Sequence, residues 1–155
     1  MAEWKRILLK LSGEALSGEI GHGFDEEVCR EVAGEIALLT RRGIQVAVVT
    51  GGGNFWRGRN SSKIIERSHS DQIGMLGTVI NCIYMSELVR LEGIDTRVYT
   101  PFECGGITDL FNRDEAVKDL NDVKVIFFAG GTGHPYFSTD TGAVLRGSEL
   151  EVDAL

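Results

Sequence analysis

The sequence predicts an α/β fold in which a mostly parallel β-sheet is covered by helices on both faces. Short, almost continuously apolar segments, such as Arg6–Leu11 and Gln45–Thr50, alternate with segments that carry apolar residues at helical spacing. Such continuous apolar segments are typical of strands that are buried on both faces of a parallel sheet. Glycine-rich turns directly follow three of them. We therefore expect a single domain over residues 1–155, with right-handed crossovers between the strands.

The first part of the chain predicts two strands separated by one helix. Arg6–Leu11 is the first strand, and it ends at a Ser-Gly pair. Asp25 is a suitable N-cap for the following helix, because its carboxylate can accept hydrogen bonds from the first turn. Gly43 ends this helix, since glycine is common just beyond a helix C-terminus. Gln45–Thr50 is the second strand and is rich in valine.

The rest of the chain predicts a longer helix, two more strands and two more helices. The long helix covers residues 71–91, and strands follow at residues 96–99 and 124–128. The segment that starts at Asn112 resembles a capping box and opens a short helix, and a last helix begins near Asp140. The apolar stripe of the long helix consists of Leu76, Ile80, Ile83, Leu88 and Leu91.

Composition and charge argue against several classes of function. Lysine and arginine number 16 against 23 aspartates and glutamates, and the net charge of −7 disfavours a nucleic-acid or anionic-membrane partner. Three cysteines without a CxxC motif predict reduced thiols rather than a disulfide framework or a thiolate zinc site. The three histidines lack ligand spacing, so no protein metal site is expected. Without a signal peptide or an apolar run of about 18 residues, the chain is expected to be cytoplasmic and not to span a membrane.

The glycine-rich turns at residues 12–13, 51–53 and 130–133 predict a phosphate site. Ligands of open α/β sheets bind beyond the carboxyl ends of the strands, and glycine lets backbone N–H groups approach phosphate oxygens closely. One such turn alone is equally explained by a tight strand–helix connection. Three turns at one end of a sheet favour a site for several phosphates. Neither a P-loop motif nor a GxGxxG motif between a strand and a helix is present.

Three charged residues beside these turns are candidate functional groups, each with a structural alternative. Lys10, at the end of an apolar strand, is either a cation for a transferring phosphoryl group or a strand-end lysine that reaches water. Arg57 follows the second turn and either holds a phosphate in a bidentate manner or is a solvated loop residue. Asp71 either accepts hydrogen bonds from sugar hydroxyls or simply caps the long helix.

Four segments resemble bacterial uridylate kinases, which belong to the amino-acid kinase superfamily. They are KRILLKLSGEAL (residues 5–16), VVTGGGNFWRG (48–58), DQIGMLGT (71–78) and AGGTGHPYFSTD (129–140). The first and last are specific to uridylate kinases, whereas acetylglutamate, carbamate and aspartate kinases share the lysine and the glycine turns. The resemblance implies an amino-acid-kinase-like three-layer sandwich and phosphoryl transfer from ATP to UMP, which gives UDP in pyrimidine biosynthesis.

The resemblance also implies roles for individual residues. Lys10 stabilises the transferring group, and Asp71 binds the ribose of UMP. ATP contacts are implied for Lys10, Leu11, Ser12, Gly13, Gly53 and Arg57. UMP contacts are implied for Gly52, Asp71, Thr132, Gly133, His134, Pro135, Tyr136, Phe137, Ser138 and Thr139. A loop for GTP activation is implied at Gly18, Glu19, Ile20, Gly21, His22 and Gly23.

The resemblance further implies Mg²⁺ carried with ATP, inhibition by UTP, a homo-hexamer and no covalent intermediate. His134 departs from the pattern, because many relatives carry asparagine there and an imidazole cannot both donate and accept at one edge as an amide does. Relatives also continue beyond residues 152–155, which look like the start of a strand, so we expect the C-terminal part of the fold to be missing. A non-catalytic UMP-binding or oligomerisation module is therefore the alternative function. A kinase for a carboxylate or carbamate is disfavoured by Asp71 together with residues 130–137.

Overall fold

The centre of the molecule is a parallel β-sheet. The computed structural model describes residues 4–58 and 64–155, and it contains β1 (Arg6–Leu11), β2 (Gln45–Thr50), β3 (Thr96–Thr100), β4 (Asp109–Leu110) and β5 (Val125–Phe128). These strands form one five-stranded sheet in the order β1-β2-β5-β3-β4, and every neighbouring pair is parallel. The predicted parallel sheet is thereby confirmed, and β1, β2 and β5 lie side by side.

Helices connect these strands and carry the N-caps that the sequence predicts. They are α1 (Gly13–Ser17), α2 (Glu26–Arg41), α3 (Arg67–Leu91), α4 (Arg113–Asn121) and α5 (Thr139–Glu149). The Asp25 carboxylate accepts a hydrogen bond from the N–H of Val28 at 3.2 Å, and the Asn112 side chain caps α4 in the same manner. α1, the 3₁₀ turn Gly18–Ile20 and the two-residue strand β4 are additional to the predicted elements.

Alternate residues of β1, β2, β3 and β5 enter two separate cores, one on each face of the sheet. In β2, Val46 and Val48 pack with the buried face of α2 and α3, whereas Ala47 and Val49 pack with α4 and α5. Both faces of the central strands are therefore buried, which explains why apolar and polar residues do not alternate in their sequences. The predicted arrangement of helices on both faces is confirmed.

The long helix α3 differs from its prediction in its start and in its buried face. It begins at Arg67 rather than at Asp71, so Asp71 is not its N-cap. The predicted apolar stripe is wrong as a core face, because Leu76 and Ile80 are 54% and 47% exposed. Ile83 and Leu91 are exposed as well, and only Leu88 of the five is buried. The buried face instead carries many small or polar residues, namely Ser70, Gly77, Thr78, Asn81, Cys82 and Ser86, together with the apolar Val79, Met85, Leu88 and Val89.

There is a physical reason why α3 buries its face of small and polar residues rather than the predicted apolar stripe. The buried side of α3 lies against the ends of the strands and the glycine turns, where close backbone approach requires small side chains. By length and composition α3 is also apolar enough to cross a membrane, but 50% of its most apolar window is buried inside the structure. It is therefore a core helix that packs on the sheet.

Residues 152–155 make less regular structure than the predicted strand. A single parallel bridge joins Ile7 to Ala154, and the N–H of Asp153 donates to the carbonyl of Arg6 at 2.8 Å. This segment therefore lies along the edge of β1 without forming a strand of its own.

Candidate functional site

Three glycine turns meet at one end of the sheet because β1, β2 and β5 are neighbours. They line a cavity of about 1020 Å³ that also receives residues from the start of α3 and the start of α5. The first two turns are joined directly, since the N–H of Gly51 donates to the carbonyl of Leu11 at 2.8 Å. The expected convergence of the three turns is thus confirmed by the strand order.

The second turn is pressed against α3. A Cβ atom at Gly52 would lie 2.7 Å from the carbonyl oxygen of Gly74, so no other residue fits there without displacing the helix. The carbonyl of Gly52 accepts hydrogen bonds from the N–H groups of Phe55 and Trp56, both at 3.0 Å. Among the described residues, the N–H groups of Gly52 and Gly53 have no protein acceptor. The turn therefore presents free donors beside the cavity, as a phosphate site requires.

The third turn is held to α3 by a threonine that the sequence argument did not single out. The N–H of Gly130 donates to the hydroxyl of Thr78 at 2.7 Å, and this hydroxyl donates to the carbonyl of Met75 at 2.6 Å. Thr78 is buried and lines the cavity. An apolar-stripe argument overlooks it because threonine counts as neither core nor catalytic residue.

Lys10 lines the cavity and has an acidic partner. Its Nζ lies 3.1 Å from Oδ1 of Asp140, which is in the first turn of α5. Both side chains keep contact with solvent, so the pair adds little to stability. Lys10 is therefore a partly exposed cation in the cavity lining, and its role toward a ligand stays a prediction. The sequence indicates Asp140 only as the start of a helix, and its position in the cavity becomes visible in the structure.

Arg57 lies beside the second turn rather than among the residues that line the cavity. Its Nε donates to the carbonyl of Gly53 at 3.2 Å and lies 3.6 Å from Oε1 of Glu14. Glu14 itself lines the cavity. The guanidinium is half-exposed and keeps further donors for a ligand.

Asp71 joins the start of α3 to the segment that follows the third turn. Its Oδ2 accepts a hydrogen bond from the backbone N–H of Tyr136 at 2.8 Å and lies 3.8 Å from Nε of Arg67. The Arg67 guanidinium stacks 4.5 Å from the centre of the Tyr136 ring. Tyr136 has a φ of 73°, which is strained for a residue with a side chain. The carboxylate and Arg67 thus hold the segment in this shape.

Most of residues 132–139, for which the resemblance implies UMP contacts, line the cavity. Thr132, His134, Tyr136, Phe137, Ser138 and Thr139 do so, whereas Gly133 and Pro135 do not. The Ser138 hydroxyl caps α5 by accepting from the N–H of Thr141 at 3.1 Å, and Tyr136 and Phe137 remain exposed. Their roles toward a nucleotide stay predictions.

The loop at residues 18–23 lies outside the cavity lining, and so does Leu11. The end of this loop is fixed to the second turn, because the backbone groups of Gly23 exchange hydrogen bonds with Asn54. The N–H of Gly23 donates to the Asn54 carbonyl at 3.0 Å, and Nδ2 of Asn54 donates to the Gly23 carbonyl at 2.8 Å.

Several further residues that line the cavity were not predicted. They are Glu14, Trp56, Gly58, Ile65, Arg67, Ser70, Gly74, Met75, Thr78 and Asp140, whereas Gly51, Gly130 and Gly131 belong to the predicted glycine turns. Trp56 is oriented by a 2.9 Å hydrogen bond from its Nε1 to the hydroxyl of Ser70. Those on α3 could have been found if the helix had been started at Arg67, because helical spacing then places Arg67, Ser70, Asp71 and Gly74 on one face.

Comparisons with known proteins match this fold over nearly the whole chain. The model of the amino acid kinase family matches residues 5–155. A curated uridylate kinase of Limosilactobacillus reuteri (strain DSM 20016) is 43% identical over 154 residues, which are 99% of this chain and 64% of that relative. The solved UMP kinase of Bacillus anthracis superposes with a TM-score of 0.93 at 35% identity, covering 97% of this chain and 63% of that one.

A second solved structure gives the same result. The UMP kinase of Ureaplasma parvum superposes with a TM-score of 0.90 at 28% identity, covering 97% of this chain and 64% of that one. This chain therefore spans somewhat less than two thirds of the length of these relatives. Sequence and fold agree, and the chain belongs to the amino acid kinase family.

Proposed function

We propose that this chain forms the UMP-binding part and the transfer centre of a UMP kinase, which moves the γ-phosphoryl group of ATP to UMP. The observation that carries the proposal is the convergence of three glycine turns, Lys10 and Asp71 on one cavity. The relatives named uridylate kinase and UMP kinase support the choice of UMP among phosphate acceptors.

In the proposed reaction, a phosphate oxygen of UMP attacks the γ-phosphorus of ATP. The new P–O bond forms as the bond between that phosphorus and the β–γ bridging oxygen breaks, so UDP and ADP result without a covalent enzyme intermediate. The protein contributes position and charge in such a transfer. Lys10 offsets the charge on the transferring group, and the N–H groups of Gly52 and Gly53 hold the phosphates.

The nucleoside part of UMP is proposed to bind between Asp71 and residues 132–139. Oδ2 of Asp71 is used by Tyr136 and Arg67, whereas Oδ1 has no protein partner in the described part of the chain. That oxygen remains available for a ribose hydroxyl. The half-exposed Arg57, together with residues 10–13 and Gly53, is proposed to contact ATP.

Mg²⁺ is proposed to enter with ATP. In phosphoryl-transfer sites this ion is held by substrate phosphates together with one or two carboxylates. Glu14 and Asp140 line the cavity as separate carboxylates, and residues 4–58 and 64–155 contain no cluster of three or more potential metal ligands. This donor set fits an ion that arrives on the substrate, and Asp140 is the carboxylate that would hold it beside Lys10. The ion would neutralise phosphate charge.

Self-association is proposed through the exposed face of α3. Ile73, Leu76, Ile80 and Ile83 recur at helical spacing on this face, and each is 38–54% exposed. Apolar side chains concentrated in one stripe mark an interaction surface more often than scattered ones do. A second copy of the chain is the occupant that fits best, since the family resemblance implies a hexamer.

Regulation by GTP and UTP and a cytoplasmic location are part of the same proposal. Residues 18–23 lie outside the cavity but are bonded to the second glycine turn through Asn54. A GTP molecule held by this loop would therefore occupy a place different from the substrates while contacting a segment that leads to them.

A coupled assay for ADP with UMP, CMP and AMP tests the proposed activity. The assay is run on this chain and on a version extended to the full length of its uridylate kinase relatives. We expect ADP release that depends on UMP in the extended protein. ADP release at equal rates with all three nucleotides, or none in a folded extended protein, would contradict the proposal. UMP binding without transfer in the extended protein would favour a non-catalytic UMP-binding module.

A further inference from the structure

Two buried asparagines lie directly behind the second glycine turn. Asn54 follows the turn, and Asn81 projects from the buried face of α3; their exposures are 3% and 0%. Buried carboxamides are costly unless their polar atoms are paired, so such a pair is retained where it holds other groups in place. Neither residue lines the cavity, and neither has a role in the proposed transfer.

The two carboxamides bond each other reciprocally. Nδ2 of Asn54 donates to Oδ1 of Asn81 at 2.9 Å, and Nδ2 of Asn81 donates to Oδ1 of Asn54 at 2.8 Å. The second proton of each amide reaches a backbone carbonyl: that of Gly23 from Asn54 at 2.8 Å, and that of Gly51 from Asn81 at 2.6 Å. All four N–H donors are therefore used, and a carboxylate could not replace either side chain.

The bond to Gly51 matters because of peptide geometry. The carbonyl of Gly51 and the N–H of Gly52 belong to one planar trans peptide group, so a side chain that fixes the carbonyl also fixes the direction of the N–H. That N–H is one of the two in the turn without a protein acceptor among the described residues. Asn81 thus sets, from behind, the orientation of a donor on the cavity side.

The pair also supports the first glycine turn by packing. A Cβ atom at Gly13 would lie 2.6 Å from Oδ1 of Asn54 and 2.6 Å from the N of Gly53, so the two turns and the asparagine are in close contact. Both turns that line the phosphate end of the cavity therefore rest on the same carboxamide pair.

We infer that Asn54 and Asn81 are positioning residues that pre-organise the second glycine turn for a phosphate group. The inference rests on the proposed function of that turn, and it assigns a task to a polar cluster outside the cavity. Donors that are already oriented require no rearrangement when the anion binds, which is how a rigid turn strengthens binding. Loss of Asn81 leaves the Gly51–Gly52 peptide free to rotate, so the phosphate contact weakens while contacts to the nucleoside do not.

The test compares UMP with uridine, which lacks the phosphate. Dissociation constants are measured by calorimetry and by the fluorescence of Trp56 for the wild-type chain, Asn81→Ala and the control Val89→Ala. Val89 is a buried residue of the same helix that does not touch the turn. We expect Asn81→Ala to lower the affinity for UMP at least tenfold relative to uridine. Val89→Ala should lower the thermal midpoint and leave this ratio within twofold of wild type.

The outcomes separate the inference from the proposed function. The decisive quantity is the affinity for UMP divided by the affinity for uridine. If this ratio in Asn81→Ala stays within twofold of its wild-type value, the inference is overturned, because Asn81 would then be a structural residue only. A folded wild-type chain that binds no UMP would overturn the proposed function and the inference with it. If the alanine variant does not fold, Asn81→Leu takes its place, since leucine fills a similar space without a hydrogen-bond donor, and the same thresholds apply.

Discussion

At the scale of single residues, Lys10 brings a positive charge to the cavity. It is the penultimate residue of β1, it lines the cavity, and its ammonium group lies 3.1 Å from the Asp140 carboxylate. The sequence predicted the cation from its place in an apolar strand but not the partner. Asp140 is distant in sequence and becomes a neighbour only because α5 follows β5, which is separated from β1 by β2 alone.

Replacement of Lys10 tests its role in the transfer step. In the protein extended to the length of its relatives, we expect Lys10→Ala to lower turnover about 10²–10³-fold, the usual cost of losing one charge contact to a transition state. The affinity for UMP should change little, because Lys10 is proposed to contact the transferring group. A coupled ADP assay measures turnover, and calorimetry measures the affinity for UMP. The control is Lys5→Ala, because Lys5 is an exposed lysine outside the cavity. Turnover within threefold of wild type would make Lys10 a structural residue.

Other residues of the site do not follow from the apolar stripe of the long helix. Thr78 holds the third turn, and Arg67 stacks on Tyr136, but neither residue type stands out in an apolar helix. Their tasks depend on which face of α3 meets the turns. That choice is made by tertiary packing, since the glycine turns accept only small or hydrogen-bonding neighbours.

At the scale of elements, α4 is fastened to the sheet by a buried carboxylate. Asp119 accepts hydrogen bonds from the hydroxyl of Tyr99 at 2.6 Å, from Nζ of Lys124 at 2.8 Å and from Nη1 of Arg97 at 3.1 Å. Burial alone would raise the pKa of Asp119, but the hydrogen bonds from Lys124 and Tyr99 and the charge of Arg97 outweigh it, so its pKa is lowered.

The sign of the pH dependence follows from this lowered pKa. The unfolded chain takes up the proton of Asp119 at a higher pH than the folded chain does, so the cluster stabilises the fold above the ordinary aspartate pKa of 3.8. This stabilisation is lost as the pH falls from there through the lower, folded pKa.

We expect Asp119→Asn to lower the free energy of unfolding by roughly 1–3 kcal/mol at pH 7, since it weakens the hydrogen bonds to buried donors. The difference from wild type should shrink toward pH 3. Urea unfolding at both pH values measures it, and Asp122→Asn, at the exposed end of the same helix, is the control. An equal difference at both pH values would show that the charge of Asp119 contributes nothing.

The exposed stripe of α3 carries the second prediction at this scale. Ile80→Glu places a charge in the middle of the stripe, so we expect it to dissociate the proposed oligomer. The side chain is exposed within one chain, and the thermal midpoint of the separated chain should change little. Light scattering after size-exclusion chromatography measures the molar mass of the assembly. The control is Ile107→Glu, because Ile107 is exposed in a loop. A wild-type chain that is already monomeric, or an Ile80→Glu chain that keeps the wild-type mass, would contradict this use of the stripe.

For the whole molecule, the order and type of the main elements could be predicted from the sequence. Continuous apolar strands identify a sheet buried on both faces, and the glycine turns at their ends mark one edge of it. The side-by-side order of β1, β2 and β5 depends on contacts between segments that are distant in sequence, and so does the choice of the face that α3 buries. Local sequence patterns therefore do not predict either feature. Asn81 illustrates the limit, because an asparagine in a helix indicates nothing until the turn behind which it lies is known.

The central claim is that the cavity between the glycine turns and Asp71 binds UMP. Calorimetry of the folded 155-residue chain with UMP, CMP and AMP tests it most directly, together with Asp71→Asn. We expect UMP to bind more tightly than CMP or AMP, and Asp71→Asn to weaken UMP about tenfold or more, because hydrogen bonds to a charged group contribute about 1.5–3 kcal/mol. Equal affinities for the three nucleotides, or no binding of UMP by the folded chain, would contradict the claim.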